Sequence, residues 1–250
     1  MVFRSKPEIA LDLVGELIGS GMQPSPLLGD CQYGHSGPLR QGLRDAGCPY
    51  MLQVESALKA WVERPQLRRA RKRWVPRLRG PQAQTVLEIG RSLPDSAWQP
   101  CRWSGAGGRA FSTRMAWIRA WMVSDLAEDS SEIPETWLVF DWPQGQPEPY
   151  HIYTAWLDGP PQRISLLRLS RQRFQIEQYF QRDKDDLGLD HFEGRSWRGF
   201  HHHLALAATA YLFVLLVFLR TKKNFLPHVG RGAPKDPAIL NSLARILPLL

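Results

Sequence analysis

The chain has 250 residues, and 32 Lys and Arg against 24 Asp and Glu give a net charge of +8. This length supports one large domain or two small ones with a core that needs no staples. A composition of 43% hydrophobic and 22% charged residues excludes a disordered or collagen-like chain. The basic excess points to a polyanionic partner, either nucleic acid or an anionic membrane surface. Cys31, Cys48 and Cys101 are odd in number and show no C-x-x-C spacing, which argues against a disulfide scaffold or zinc ribbon and suits a reducing cytoplasm. The first residues, Met1 to Glu8, hold no apolar run of the secretory kind.

In chain order, Pro7 opens a helical pattern through Ile9, Leu13, Val14 and Leu17 that Gly19 to Gly21 close. Leu27 to Cys31 reads as a short buried strand ending at Asp30, followed by a loop from Tyr33 to Gly37. Pro38 to Ala46 reads as a helix, and Tyr50 to Val54 as a second buried strand. This alternation predicts α/β structure with parallel pairing. From about Glu55 to Gly159 the text turns Trp-rich, Pro-rich and strand-like. Within it, 135–142 and 148–157 form a predicted hairpin around a turn at 143–147, and 111–123 suits either a strand or a helix, with strand preferred. Helical text returns over 162–186. A loop from Gly188 to Trp197 follows, then a long apolar helix over about 198–221 and a Pro-broken tail.

Five constellations could carry chemistry. Asp30 ends a strand, where ligand chemistry gathers in open sheets, although an Asp there also caps or turns the chain. Arg173, Glu177 and Lys184, at offsets of four and seven, share one helical face. Such a stripe can hold a metal through the acid and a phosphate through the bases, or be a solvated face with ion pairs. Arg64, Arg68, Arg69, Arg71, Lys72, Arg73, Arg77 and Arg79 fall within sixteen residues, with Trp61 and Trp74 nearby. That run can neutralise phosphates and stack on bases, or be a solvated basic face. His201, His202 and His203 are adjacent, and neighbouring helical side chains point about 100° apart, so the three do not readily share an ion. Leu204 to Leu219 is mostly apolar but covers only about 24 Å against a hydrocarbon core of about 30 Å. A helix buried in an α/β core explains it more simply than insertion into a membrane.

These pieces together resemble a bacterial insertion-sequence transposase of the DDE superfamily endonuclease type, closest to groups four and seven hundred and one. The likeness runs through Phe3-Arg-Ser-Lys-Pro-Glu-Ile-Ala-Leu and Leu28-Gly-Asp-Cys-Gln-Tyr-Gly. It is strongest at Ile176-Glu-Gln-Tyr-Phe and from Leu187-Gly-Leu-Asp-His-Phe-Glu-Gly-Arg-Ser-Trp to His203. Of the family's Tyr-x2-Arg-x3-Glu-x6-Lys pattern, Arg173, Glu177 and Lys184 are present, and Ser170 stands where Tyr is usual.

The resemblance implies a ribonuclease H-like α/β fold with a β-rich insertion between the second catalytic Asp and the Glu. It maps a partial core onto 1–54, the insertion onto 55–160, the core helices with the Glu onto 161–222 and a tail onto 223–250. It implies phosphodiester cleavage and strand transfer at insertion-sequence terminal repeats. Asp30 and Glu177 would bind Mg²⁺ (or Mn²⁺), and Arg173, Lys184 and the basic residues Arg68, Arg69, Arg71, Lys72 and Arg73 would hold DNA.

The family's first Asp, on an opening strand upstream of Pro7, has no counterpart, since Asp12 sits within a helical pattern and Asp141 within the insertion. The chain is therefore expected to be an N-terminally truncated transposase that lacks its opening strands and has little activity alone. Its two short strands are expected to lack sheet neighbours. An upstream fragment or a homodimer would be its partner, and a non-catalytic DNA-binding remnant is the alternative. The expected location is the bacterial cytoplasm, on the nucleoid when DNA is bound, without membrane contact.

Overall fold

Ser5 starts the first helix, α1 (Lys6–Gly19), through a reciprocal capping box: its N–H donates to the Glu8 carboxylate at 2.6 Å and its hydroxyl accepts from the Glu8 N–H. The computed structural model describes residues 3–68, 77–79, 82–104, 110–126 and 132–221. The chain forms two compact units, Met1–Arg173 and Phe174–Leu250.

In the first unit, β1 (Leu27–Gly29), the one-turn helix α2 (Cys31–Gly34), α3 (Gly37–Asp45) and β2 (Tyr50–Val54) follow α1. Then come β3 (Lys59–Trp61), a ribbon of β4 (Gln66–Arg68) and β5 (Arg77–Arg79), β6 (Gln84–Thr85) and α4 (Val86–Ser92). The long strands are β7 (Gln99–Ser104), β8 (Ala110–Met122), β9 (Glu135–Pro143) and β10 (His151–Trp156). The main sheet runs β1-β2-β10-β9-β8-β3-β6, with β7 also paired to β8. β1 and β2 are parallel, with Leu28 opposite Met51, and the other pairs are antiparallel. The molecule is a mixed α/β fold with an open mixed sheet, consistent with a ribonuclease H-like nuclease.

Alternation sorts the strand residues between two faces. Met51, Met115, Val139, Tyr153 and Ala155 face the start of α5 (Arg163–Leu187), where Leu166 is fully buried. On the opposite face, Val54, Ala116, Leu138, Phe140 and Ile152 pack with Val86 and Ile89 of α4. Further along it, Tyr50 and Leu52 meet Val14 of α1 and Leu39 and Leu43 of α3.

Three expectations need correction. β2 does not lack sheet neighbours, because β10 pairs along its whole length, from Ile152 opposite Val54 to Trp156 opposite Tyr50. The stretch 55–159 is not uniformly strand-like: α4 lies within it, started by a capping box between Thr85 and Glu88. That Thr-x-x-Glu signature was readable in the sequence. The third concerns the apolar helix, α6 (Trp197–Thr221), in the second unit. It is not buried as a core helix. Leu206 is 71% exposed and Phe213 67%, and of its described residues only Ala207 counts among the buried. Its Trp197–Val217 stretch, 21 residues with mean hydropathy 1.6, is long and apolar enough by length and composition to cross a membrane.

The second unit also holds the rest of α5. The Tyr179 and Tyr211 rings meet edge to face at 4.6 Å, and a His203 ring nitrogen lies 2.8 Å from the Gly188 carbonyl oxygen. Asp183 is fully buried, and among the described residues neither carboxylate oxygen meets a donor in hydrogen-bonding geometry. Burial first, then this neighbouring carboxylate, pushes the Tyr179 phenol up.

Candidate nucleic-acid and metal site

The carboxyl ends of the parallel pair β1 and β2 carry the polar residues. Asp30 follows β1 directly, is exposed, and caps α2: its Oδ1 accepts from the Gln32 N–H at 2.9 Å. Its carbonyl accepts from Tyr33 and Gly34 at 3.2 and 2.9 Å, so the expected loop closes into one helical turn. Gly34 is required there, because a Cβ would overlap the Gln53 carbonyl oxygen.

A buried polar strut braces this turn. The Arg40 guanidinium donates to the Gly34 carbonyl, to Ser124 Oγ at 2.7 Å, and through Nε to Asp125 Oδ1 at 2.9 Å. Arg44 reaches the other Asp125 oxygen at 3.2 Å and the Tyr50 hydroxyl at 2.5 Å. The Arg40 and Asp125 side chains are both fully buried, so every charge in the strut depends on its partners. Burial pushes the Tyr50 phenol up to about 12, against the pull of Arg44.

Glu55, one residue beyond β2, is a second exposed carboxylate at this edge. It escaped the sequence reading although it carries the same signal as Asp30, an acid at the end of a buried strand. Burial, then the charges of Glu55 and Asp30, push the Cys31 thiol up, and Arg173 opposes them. Arg173 is half-buried on α5 within the first unit. Glu177 and Lys184 are exposed on the same helix and belong to the second unit. Ser170, at the position where Tyr is usual, is buried and returns its hydroxyl to the Leu167 carbonyl at 2.9 Å.

Arg68 ends β4 and stands opposite Arg77 of β5, with Gln66 opposite Arg79. Arg69, Arg71, Lys72 and Arg73 lie outside the described residues. Arg64 pairs with Glu132 at 3.1 Å on the surface. Among the described residues, no three His, Cys, Asp or Glu side chains gather as a metal-holding group, the histidine triplet included. Asp12 sits in α1, and Asp141 is buried against Arg171 at 2.8 Å.

Residues 1–109 match the family model described as DDE superfamily endonuclease. This likeness covers α1 through β7 and includes Asp30, the Arg40 arm of the strut and the basic ribbon. Comparison with curated proteins returned no match. The match supports a transposase-type DDE nuclease family, whose members act on DNA and typically use divalent metals.

Proposed function

We propose that this chain is a transposase-type nuclease that cleaves phosphodiesters and transfers strands at insertion-sequence terminal repeats, with little activity by itself. The observation that carries this reading is Asp30 at the carboxyl end of a parallel strand pair, within the segment that matches the endonuclease family. Asp30 and Glu177 are the catalytic carboxylates and would hold Mg²⁺ or Mn²⁺. Their hard, exposed oxygens suit those ions in kind, although two carboxylates are fewer than three. When bound, the ions supply activation of the attacking oxygen and stabilisation of the leaving one.

Arg173 and Lys184 hold phosphates, the first half-buried and the second exposed. Arg68, Arg69, Arg71, Lys72 and Arg73 extend the DNA contact. The backbone register of β4 and β5 sets basic positions opposite one another, and an anionic backbone suits such a basic run. β1 forms one edge of the main sheet, so a strand from an upstream fragment or a second copy could add there with a further carboxylate. In this reading 1–54 and 161–222 form the nuclease core and 55–160 its insertion. The working site is the bacterial nucleoid.

Relaxation of a supercoiled plasmid in Mn²⁺ or Mg²⁺, with duplex affinity measured in parallel, tests this. Slow nicking is expected, abolished by Asp30→Asn and by Glu177→Gln with duplex affinity kept. Salt-dependent binding without any nicking would identify a DNA-binding remnant. Absence of both binding and nicking sinks the nucleic-acid reading.

A further inference from the structure

Asp141 is fully buried near the end of β9, a place where a charge needs a reason. Alternation along β9 sets it on the same face as Trp137 and Val139, the face that meets α5. Its carboxylate accepts from Thr113 of β8 and, at 2.8 Å, from Arg171 of α5. Trp103 of β7 lies across the Arg171 guanidinium at 4.3 Å. One arginine is thus held by β9 and β7 of the inserted sheet, with β8 holding its acid partner. The carboxylate is fully buried while Arg171 is one-third exposed, and an ion pair desolvated on one side gives little net stability over well-packed apolar residues.

Two positions further on α5 is Arg173. It lies on the same helix as Arg171, half-buried and within the first unit. Asp141 is shielded from solvent, and Arg171, one-third exposed, links it to the surface.

Resting on the nuclease reading above, we propose that Asp141 and Arg171 are positioning residues. They hold α5 so that Arg173, two positions on, meets a DNA phosphate. The inserted sheet is then part of the phosphate site and not only a DNA-facing appendage.

The test is binding of a fluorescein-labelled duplex across a salt series by wild type, Asp141→Asn, Arg173→Ala and the double variant, with amide exchange over α5. Asp141→Asn raises the net charge by one, so general electrostatics, or an Arg171 released to touch DNA, would strengthen binding. Positioning gives the opposite sign: affinity falls about fivefold and the log–log salt slope shrinks by about 0.9, the value of one lost phosphate contact. In the Arg173→Ala background the same change has no further effect, and amide exchange quickens around Arg171 while β2 stays protected.

Stronger or unchanged binding in Asp141→Asn overturns the positioning role alone. So does an additive loss in the double variant, which marks a general fold defect. A wild-type chain that does not bind the duplex overturns the nuclease reading and this inference with it. Should Asp141→Asn fail to fold, Trp103→Leu removes the ring from Arg171 and leaves the ion pair intact. It gives a smaller loss of the same kind, and unchanged binding there overturns the proposal.

Discussion

The central sheet of the first unit and α6 of the second are both rich in apolar residues, yet they meet water in opposite ways. Met51, Leu138, Val139 and Phe140 are enclosed because both sheet faces are covered, by α5 on one side and by α1, α3 and α4 on the other. Leu206, Leu212, Phe213, Val214 and Val217 of α6 are exposed. Apolar composition therefore marks a segment that favours burial, and a packing partner decides whether burial happens. The polar residues divide in a parallel way. Asp30 sits in a turn braced by the buried Arg40–Asp125 pair, whereas Glu177 and Lys184 lie exposed on a helix.

The sharpest way to break this contrast is to cut the brace. Arg40→Ala leaves Asp125 buried with Arg44 alone and is expected to cost about 3–5 kcal/mol in urea unfolding. Phe140→Ala, on the enclosed face, should cost a similar amount, about 3–5 kcal/mol. Next is alkaline stability. The folded state holds the Tyr50 proton up to about 12. Below the unfolded tyrosine value of about 10 this contribution is fully present, and it is lost as pH rises through the folded value. Urea melts between about pH 9 and 11 should show stability falling, by up to on the order of 2 kcal/mol in all, and Tyr50→Phe should flatten that slope. Tyr153, also raised by burial, adds in the same direction.

The smallest stability changes are expected at the exposed positions. Phe213→Ala should alter stability by no more than about 0.5 kcal/mol, against the large cost at Phe140. Asp30→Asn should also stay within about 0.5 kcal/mol, since Asn caps a helix as well as Asp, even though nicking is lost. A large loss at Phe213 would show that α6 is covered in solution. Alkaline carbonate extraction should leave the protein in the supernatant, and retention in the membrane pellet would mean that lipid covers that helix.

Much of the first unit was legible in the residues. Pro7 and the glycines at 19 and 21 delimited α1, and Tyr50 to Val54 was found to the residue. The hairpin of β9 and β10 and the long strand β8 also followed from β-rich runs broken by turn chemistry. Short-range signals of this kind act within a few residues, so a linear reading reaches them. The one-turn helix after Asp30 was hidden because its Cys-Gln-Tyr-Gly text carries little helical preference, whereas α4 carried a readable cap that its strand-rich surroundings outweighed.

Asp30, Arg173, Glu177 and Lys184 were picked out by spacing and family likeness. Glu55, Arg40, Asp125, Asp141 and Arg171 were not. Arg40 and Asp125 are 85 positions apart, and Asp141 and Arg171 are 30 apart. No periodicity connects residues at such separations, and a charged residue is ordinarily taken to face water.

The sequence by itself determined the types of the longer elements, the parallel strand pair and the acid at its end, because caps, turn residues and hydrophobic period are local properties. Only the tertiary structure decided which strands flank β2, which charges are buried together, and that α6 keeps its apolar residues outward. Those outcomes depend on which surfaces meet after the chain has closed long loops, and burial is a property of the neighbours as much as of the residue.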